Sequence, residues 1–213
     1  NDASVFGSLC DRLAERGCAI HTLGLRDLPR LPDRAVAAPV TRPSLTLAHA
    51  RQFCHALRRN RSLTKLDLAE NQLRPSALHA LFDAFMPASD SVPNDGEACQ
   101  VQWLNLSGTQ LGRRGFAALT KMLRVNRSLQ FLMLNNTACR GGMQEKDRLA
   151  AAETIAAAVR HHPTLTGLYL ASNDLSAPAL AALFAALQVG TRRPTLSLLA
   201  SALTDPSLSL SLS

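Results

Sequence analysis

The chain has few aromatic residues and very few lysines. Aromatic residues make up 4% of its 213 positions, with one Trp and one Tyr, and the net charge of +7 rests on 20 Arg and only 3 Lys. Arg, Asn or Gly interrupts each apolar window well before about 18 residues, the length of a membrane-spanning helix. No basic-then-apolar leader precedes a small-residue cleavage site. We therefore expect no membrane partner.

Cysteine is scarce and is not arranged as a disulfide framework or a zinc site. The five cysteines form no Cys-x-x-Cys pair and no even set. This usage favours a reducing intracellular compartment over secretion. The positions are Cys10, Cys18, Cys54, Cys99 and Cys139.

Signatures of catalysis are also missing. The sequence has no Gly-x-Ser-x-Gly elbow, phosphate-binding loop, His-Glu-x-x-His helix or Gly-x-Gly-x-x-Gly turn. His161 and His162 form the one conspicuous pair, but nothing nearby supplies the further ligands that a metal would need. The pair precedes Pro163, at a predicted helix end where a cation favours the negative end of the helix dipole. We expect no enzyme activity, catalytic residue, metal, cofactor or small-molecule substrate.

What the sequence does contain is a frame of eleven residues, Leu-x-x-Leu-x-Leu-x-x-Asn/Thr-x-Leu, which occurs four times. The frames start at Leu63, Val101, Leu129 and Leu165, and all sixteen of their apolar positions hold apolar residues. Self-similarity at this spacing is typical of a solenoid, in which each unit buries its apolar face by stacking on its neighbours. The apolar positions are Leu63, Leu66, Leu68, Leu73; Val101, Leu104, Leu106, Leu111; Leu129, Leu132, Leu134, Cys139; and Leu165, Leu168, Leu170, Leu175.

A second apolar pattern with helical spacing follows each frame, so each unit is predicted to be a short strand followed by a helix. In the second unit this pattern consists of Phe116, Leu119, Met122 and Leu123. The intervals between frames are 38, 28, 36 and 31 residues when the last is measured to Leu196. The interval of 28 sets the basic unit, and longer intervals carry insertions.

These features resemble the ribonuclease-inhibitor-like subfamily of leucine-rich repeats. The resemblance includes the junction between helix and strand, which runs from Leu123 to Leu129 and recurs from Leu57 to Leu63, with Asn126 matched by Asn60. It implies an α/β solenoid that is curved, with parallel strands on the concave face and helices on the convex face. We expect each Asn to close its helix in the left-handed conformation, which Asn tolerates.

We expect one leucine-rich-repeat domain over residues 1–213, with about five units. Residues 1–62 form an N-terminal helix and a degenerate cap unit, in which Ile20, Leu23 and Leu25 mark a weak frame. Residues 63–195 form four regular units with insertions at 87–100 and 138–147, and residues 196–213 form a degenerate or frayed C-terminal edge. The first residue is Asn1, and no capping helix is predicted at the end, so the chain is expected to be a piece of a longer protein.

Alternation along the strands predicts which side chains face outward on the concave sheet. Trp103, Phe131, Met133 and Tyr169 would form one contiguous patch there, as a protein-binding hot spot does. The alternative is that the two insertions fold over the sheet and use these rings as an anchor. The predicted partner-binding residues are Trp103, Phe131, Met133, Tyr169, Lys65, Asp67 and Asn105.

Many Arg residues recur at the predicted junctions between helix and strand, where stacked units would align them along one rim. Such residues also favour helix C-termini for reasons that need no partner. A functional rim would bind an acidic protein surface or a phosphate backbone. The predicted rim comprises Arg58, Arg59, Arg61, Arg124, Arg127, Arg160, Arg192 and Arg193.

The ninth frame position, held by Asn71, Thr109, Thr137 and Asn173, is interpreted as structural, because these side chains can bond the backbone of the next turn. For function, the sequence favours a noncatalytic protein-interaction scaffold. The resemblance places it as a structural subunit of a larger intracellular assembly, such as a cytoplasmic, ciliary or cytoskeletal complex. Two alternatives stay open: a ribonucleoprotein subunit that binds RNA through the Arg rim, and a small-GTPase regulator of the Ran-activating type.

Overall fold

The computed structural model describes residues 2–15, 17–26, 47–71, 73, 75–86, 99–137, 144–188 and 195–197. Helices and strands alternate throughout these residues, as the repeat pattern predicts. None of the helices within these ranges is long and apolar enough to cross a membrane. In chain order the elements are α1 (Asp2–Ala14), β1 (Thr22–Gly24), α2 (Leu47–Arg59), β2 (Lys65–Asp67), α3 (Pro75–Ala84), β3 (Trp103–Asn105), α4 (Gly112–Val125), β4 (Phe131–Met133), α5 (Glu145–Arg160), β5 (Gly167–Tyr169), α6 (Ala177–Gln188) and β6 (Thr195–Ser197).

The strands form one parallel sheet in the order β1-β2-β3-β4-β5-β6, which is also their order in the chain. Each strand pairs with the next after a crossover, and each described crossover helix packs on the following one. The middle residue of every strand is Leu, and these leucines align across the sheet in one register. This is the α/β leucine-rich-repeat solenoid, with the sheet on the concave face and the helices on the convex face.

The core lies between the sheet and the helices and is built from the frame leucines. Leu66, Leu104, Leu132 and Leu168 at the strand centres have no exposed surface. The helices contribute the other wall, in which Phe116, Leu119, Met122 and Leu123 are buried, as the second apolar pattern predicts. Cys139, which holds the last of the four apolar positions in the third frame, lies outside the described residues. Because no unit covers both sides of its own leucines, the stack stabilises each unit.

A left-handed residue follows each regular strand at the eighth frame position. The φ angles are 60° at Glu70, 70° at Gly108, 55° at Asn136 and 58° at Ser172. Gly and Asn adopt this conformation at little cost, whereas Glu and Ser adopt it less readily. The eleven-residue frame specifies no residue type at the eighth position. Gly108 and Asn136 are nevertheless residue types from which a left-handed conformation could be predicted.

The junction asparagines have a different role from the one predicted. Asn126 is extended, with φ −66° and ψ 142°, so the expected left-handed closure is wrong. Its Nδ2 donates to the carbonyl of Phe85, 3.0 Å away, and its Oδ1 accepts from the amides of Ser128 and Leu129 at 3.1 and 2.8 Å. Asn60 repeats the arrangement two units earlier with Leu13 as its acceptor. Each Asn therefore ties its own turn to the end of the preceding helix.

His162 occupies the same junction position in the next unit. Its Nδ1 accepts hydrogen bonds from the amides of Thr164 and Leu165 at 3.4 and 3.1 Å, as Asn Oδ1 does elsewhere. Burial, with a smaller contribution from the charge of Arg127, lowers the pKa of His162 to about 4. The imidazole is thus neutral at pH 7, and the predicted favourable cation at this helix end is wrong for His162.

The ninth-position side chains bond the backbone, as predicted. Asn71 donates to the carbonyls of Leu25 and Leu68 at 2.6 and 3.0 Å, so it links two units. Asn173 donates to Leu134 in the same way at 2.7 Å. The hydroxyls of Thr109 and Thr137 reach the carbonyls three residues earlier, and the amide of Thr137 also donates to Oδ1 of Asn173 in the next unit at 2.8 Å. The four residues therefore stabilise turns on the inside of the stack.

The last frame begins earlier than the sequence predicts. Leu196 pairs with Leu168, which holds the fourth position of its frame. Leu196 is therefore the fourth position of the last frame and not its first, and the interval between these two frames is 28 residues rather than 31. The predicted boundary at 195/196 falls inside β6. Residues 87–98 and 138–143 of the two insertions, and residues 198–213, lie outside the described residues.

Three buried thiols should resist alkylation in the native protein. Burial raises the pKa of Cys10 and Cys99 to about 11 and that of Cys54 to about 12, so the reactive thiolate is scarce. Cys18 is only half-buried. With iodoacetamide at about pH 8, near the ordinary thiol pKa, we expect Cys18 to be modified first among these four, as read by peptide mass spectrometry. A Cys18→Ser variant is the control, and native labelling of Cys54 as fast as in denaturant would contradict the structure.

Candidate functional site

Four large side chains lie partly exposed on the concave face. Trp103, Phe131, Met133 and Tyr169 are each half-buried, and Lys65 beside them is exposed. The strand register places Trp103 between Lys65 and Phe131, and it places Met133 next to Tyr169. Adjacent strands lie about 4.8 Å apart, which brings the side chains of neighbouring strands into one surface. We call Lys65, Trp103, Phe131, Met133 and Tyr169 the concave patch.

A groove of about 240 Å³ opens within this patch. Lys65, Trp103, Phe131 and Tyr169 line one part of it. The remaining lining residues precede their strands by one position and are absent from the predicted partner-binding set. They could have been found in the sequence, because three consecutive units have a polar residue at the second frame position. These residues are Thr64, Gln102 and Gln130.

Gly167 gives the patch its shape. A Cβ atom at this position would lie 2.6 Å from Cδ1 of Phe131 and 3.3 Å from Cε2 of Tyr169. The two rings therefore converge over the glycine, which is buried beneath them. A side chain at residue 167 would displace the Phe131 ring, because atoms of real Cβ contacts do not approach so closely. The absence of a side chain in β5 thus positions an aromatic ring of β4.

Asp67 and Asn105 contribute less surface than predicted. Asn105 is only 2% exposed, and its Oδ1 accepts a hydrogen bond from the amide of Ser107 at 3.0 Å. The prediction that Asn105 offers an exposed contact is therefore wrong, since its carboxamide caps a turn. The side chain of Asp67 is 17% exposed, and it pairs with Nε of Arg26 at 2.6 Å. That ion pair joins the cap unit to the first regular unit.

The basic rim is present but interrupted. Arg58, Arg59 and Arg61 are exposed where α2 leads to β2, and Arg124 and Arg127 are exposed where α4 leads to β4. Arg160 is exposed at the end of α5, whereas Arg192 and Arg193 lie outside the described residues. Between the first two groups, residues 85–100 contain no Arg. The rim is thus a set of separate clusters, and a role in binding stays a prediction.

Comparison with known proteins agrees with this architecture. The "Leucine Rich repeat" family model matches residues 59–82. Ribonuclease inhibitor of Mus musculus is 29% identical over 134 residues, which are 63% of this chain but only 24% of the inhibitor. The chain therefore spans about a quarter of the length of that curated relative.

Two solved structures share the fold at low sequence identity. Leiomodin-1 Actin-Binding Site 2 has a TM-score of 0.62 at 16% identity, covering 87% of this chain and 88% of that one. The tropomodulin C-terminal domain from Caenorhabditis elegans has a TM-score of 0.58 at 15% identity, covering 86% and 92%. These likenesses concern the fold alone. The frame, the family match and the sheet together show a leucine-rich-repeat solenoid whose repeats are similar to those of the ribonuclease-inhibitor-like subfamily.

Proposed function

We propose that this chain is a noncatalytic scaffold that binds another protein through the concave patch. The observation that carries this proposal is the position of Trp103 and Tyr169, the only Trp and Tyr of the chain, half-exposed around one groove. Aromatic side chains bury much area at little cost in rotamer entropy, so they dominate many protein interfaces. Aromatic residues are only 4% of this chain, and both of these lie on the concave sheet. Their placement supports the concave face as the binding surface.

The chemistry of the patch indicates the kind of surface it would bind. Phe131, Met133 and the two other rings offer apolar contact, and the groove between them can hold one inserted side chain. Lys65 lies at the edge of the groove and is exposed. No carboxylate lies within ion-pair distance of it among the described residues. The preferred partner surface is therefore a protuberance with an apolar side chain at its tip and a carboxylate near Lys65.

The finer part of the proposal is a place in a cytoskeletal or ciliary assembly inside the cell. The leiomodin-1 region that shares this fold is an actin-binding site of that protein. Filamentous actin is for this reason the first partner to test by cosedimentation. Failure to bind actin would reject that partner, while the scaffold proposal would then be tested on proteins that copurify with this chain. No contact in the described residues favours the small-GTPase alternative.

Changing Trp103 and Tyr169 to Ala together should weaken binding of such a partner by about 100-fold, since two hot-spot residues at about 2 kcal/mol each would give at least this factor. The measurement is Kd by isothermal titration calorimetry. Trp103 is also a built-in probe, because no second Trp contributes to the emission. Partner binding to the patch should shift that emission to shorter wavelength.

Val125→Ala is the matched control, because Val125 is 40% exposed at the end of α4 on the convex side. It should bind with unchanged affinity. Thermal melting of each variant separates lost contacts from lost folding. Two results together would contradict the proposal: a partner that binds the double variant as tightly as the native chain, and a Trp103 emission of the native chain that the same partner leaves unchanged.

A further inference from the structure

A second cavity lies away from the concave patch. It has a volume of about 830 Å³ and opens where α1 and α2 end, next to the start of β1. We call it the basic pocket, since the charged and imidazole side chains that line it are Glu15, His21, His55, Arg58, Arg59 and Arg61. Three of these side chains are permanently cationic, two are imidazoles and one is a carboxylate. The concave patch contributes none of them.

The positive charge of this pocket is not neutralised by the described residues. No carboxylate lies within 4.0 Å of Arg58, Arg59 or Arg61 in the part of the chain that the structure describes. Glu15 is paired instead with Arg12, at 3.9 Å between exposed side chains. Nη2 of Arg58 donates to the backbone carbonyl of Asp83 at 2.7 Å, which orients the guanidinium without cancelling its charge.

The backbone beneath the three arginines is held in place by buried contacts. Asn60 lies among them in the sequence and is 2% exposed. Its Nδ2 donates to the carbonyl of Leu13 at 2.9 Å, and its Oδ1 accepts from the amides of Ser62 and Leu63. The carbonyl of His21 accepts from the amide of Thr64 at 2.9 Å. The pocket walls are thus fixed relative to each other before any ligand arrives, which lowers the entropic cost of binding.

We infer that the basic pocket binds a phosphorylated side chain of a partner protein. Planar guanidinium groups bind phosphate oxygens through paired hydrogen bonds, and a cluster of them favours a dianion over a single carboxylate. The volume exceeds that of one phosphate group and leaves room for the peptide that carries it. Among the described residues the lining has no Trp, Tyr or Phe ring, so a base would find only imidazole and guanidinium groups to stack on, and a protein ligand is favoured over single-stranded RNA.

The test titrates the full chain with a five-residue peptide that has phosphoserine at its centre and Ala elsewhere, and with its unphosphorylated twin. The readouts are Kd by calorimetry and the imidazole Cε1–H signals by NMR. We expect the phosphopeptide to bind at least tenfold more tightly than the twin. The signals of His21 and His55 should move on binding, while those of His79 and His161, which do not line the pocket, should stay in place.

The variant for this site is Arg59→Gln with Arg61→Gln, which leaves the Arg58 contact to Asp83 intact. It should lose at least tenfold in affinity for the phosphopeptide. The matched control is Arg113→Gln with Arg114→Gln at the exposed start of α4, which should bind as the native chain does. Equal binding of the two peptides, or an unchanged Kd in the Arg59 and Arg61 variant, would overturn the inference.

Two further measurements distinguish this site from an RNA-binding site and from the concave patch. A uridine decamer that binds more tightly than the phosphopeptide and displaces it would assign the pocket to RNA and overturn the protein ligand. The Trp103→Ala, Tyr169→Ala double variant should keep its affinity for the phosphopeptide, because the two sites share no residue. Failure of the concave patch and failure of the basic pocket are therefore distinguishable.

Discussion

Replacing Asn126 with Ala is expected to lower the free energy of unfolding by about 3 to 5 kcal/mol, because each buried partner left without a hydrogen bond costs about 1 to 3 kcal/mol. Asn126 is 3% exposed and bonds Phe85, Ser128 and Leu129. Ala leaves one carbonyl and two amides of the turn without these partners. Urea unfolding followed by circular dichroism measures the change.

Arg124→Ala is the control for this prediction, since Arg124 lies on the same helix end but is exposed. It should change the free energy of unfolding by no more than about 0.5 kcal/mol, as exposed substitutions usually do. The prediction fails when Asn126→Ala costs less than about 1 kcal/mol, the value of one net hydrogen bond. That result would mean that the junction is held by packing alone.

The stability of the native chain should fall by about 2 kcal/mol between pH 7 and pH 5 through His162 alone. In the folded state the pKa of His162 is about 4, below the ordinary value of 6.5. Between these two values the unfolded chain binds more protons than the folded chain, so the free energy of unfolding decreases as the pH falls. A proton added at Nδ1 would also face the amides of Thr164 and Leu165, which are themselves donors.

His162→Asn should remove this part of the pH dependence, because a carboxamide does not titrate and can accept from the same two amides. Among the residues that the structure describes, Nε2 of His162 has no hydrogen-bond partner, so the substitution sacrifices no side-chain donor contact. His161→Asn is the control, since His161 is exposed. Urea unfolding at pH 7 and pH 5 gives the comparison. An equal slope in the native and His162→Asn chains would contradict the shifted pKa.

Much of the fold could be predicted from the sequence because the frame repeats a physical requirement. A strand that contributes two leucines to one face, followed by a helix with an apolar stripe, can bury both only by stacking on copies of itself. That requirement identified Leu104, Leu132 and Leu168 as core residues, and all three are fully buried. The same alternation identified Trp103, Phe131 and Tyr169 as concave residues, and all three line the groove.

The sequence pattern could not predict contacts between side chains of different units. Nothing in the frame indicated that Asn105 would be covered or that Asp67 would pair with Arg26 across 41 residues. The pattern also assigned Asn126 a local conformation, whereas its hydrogen bonds reach the preceding helix end. These errors have one cause, since a side chain with several possible partners takes the one that tertiary packing brings closest.

The sequence by itself determined the order of strands and helices, the buried leucines and the face on which the aromatic residues lie, because periodicity follows directly from backbone geometry. Only the tertiary structure decided which side chains converge. Gly167 makes room for the Phe131 ring of the neighbouring strand, and the ends of α1 and α2 meet near the start of β1 to form the basic pocket. Both sites depend on distances between units, and a repeat pattern specifies the kind of unit without specifying how closely two side chains of different units approach.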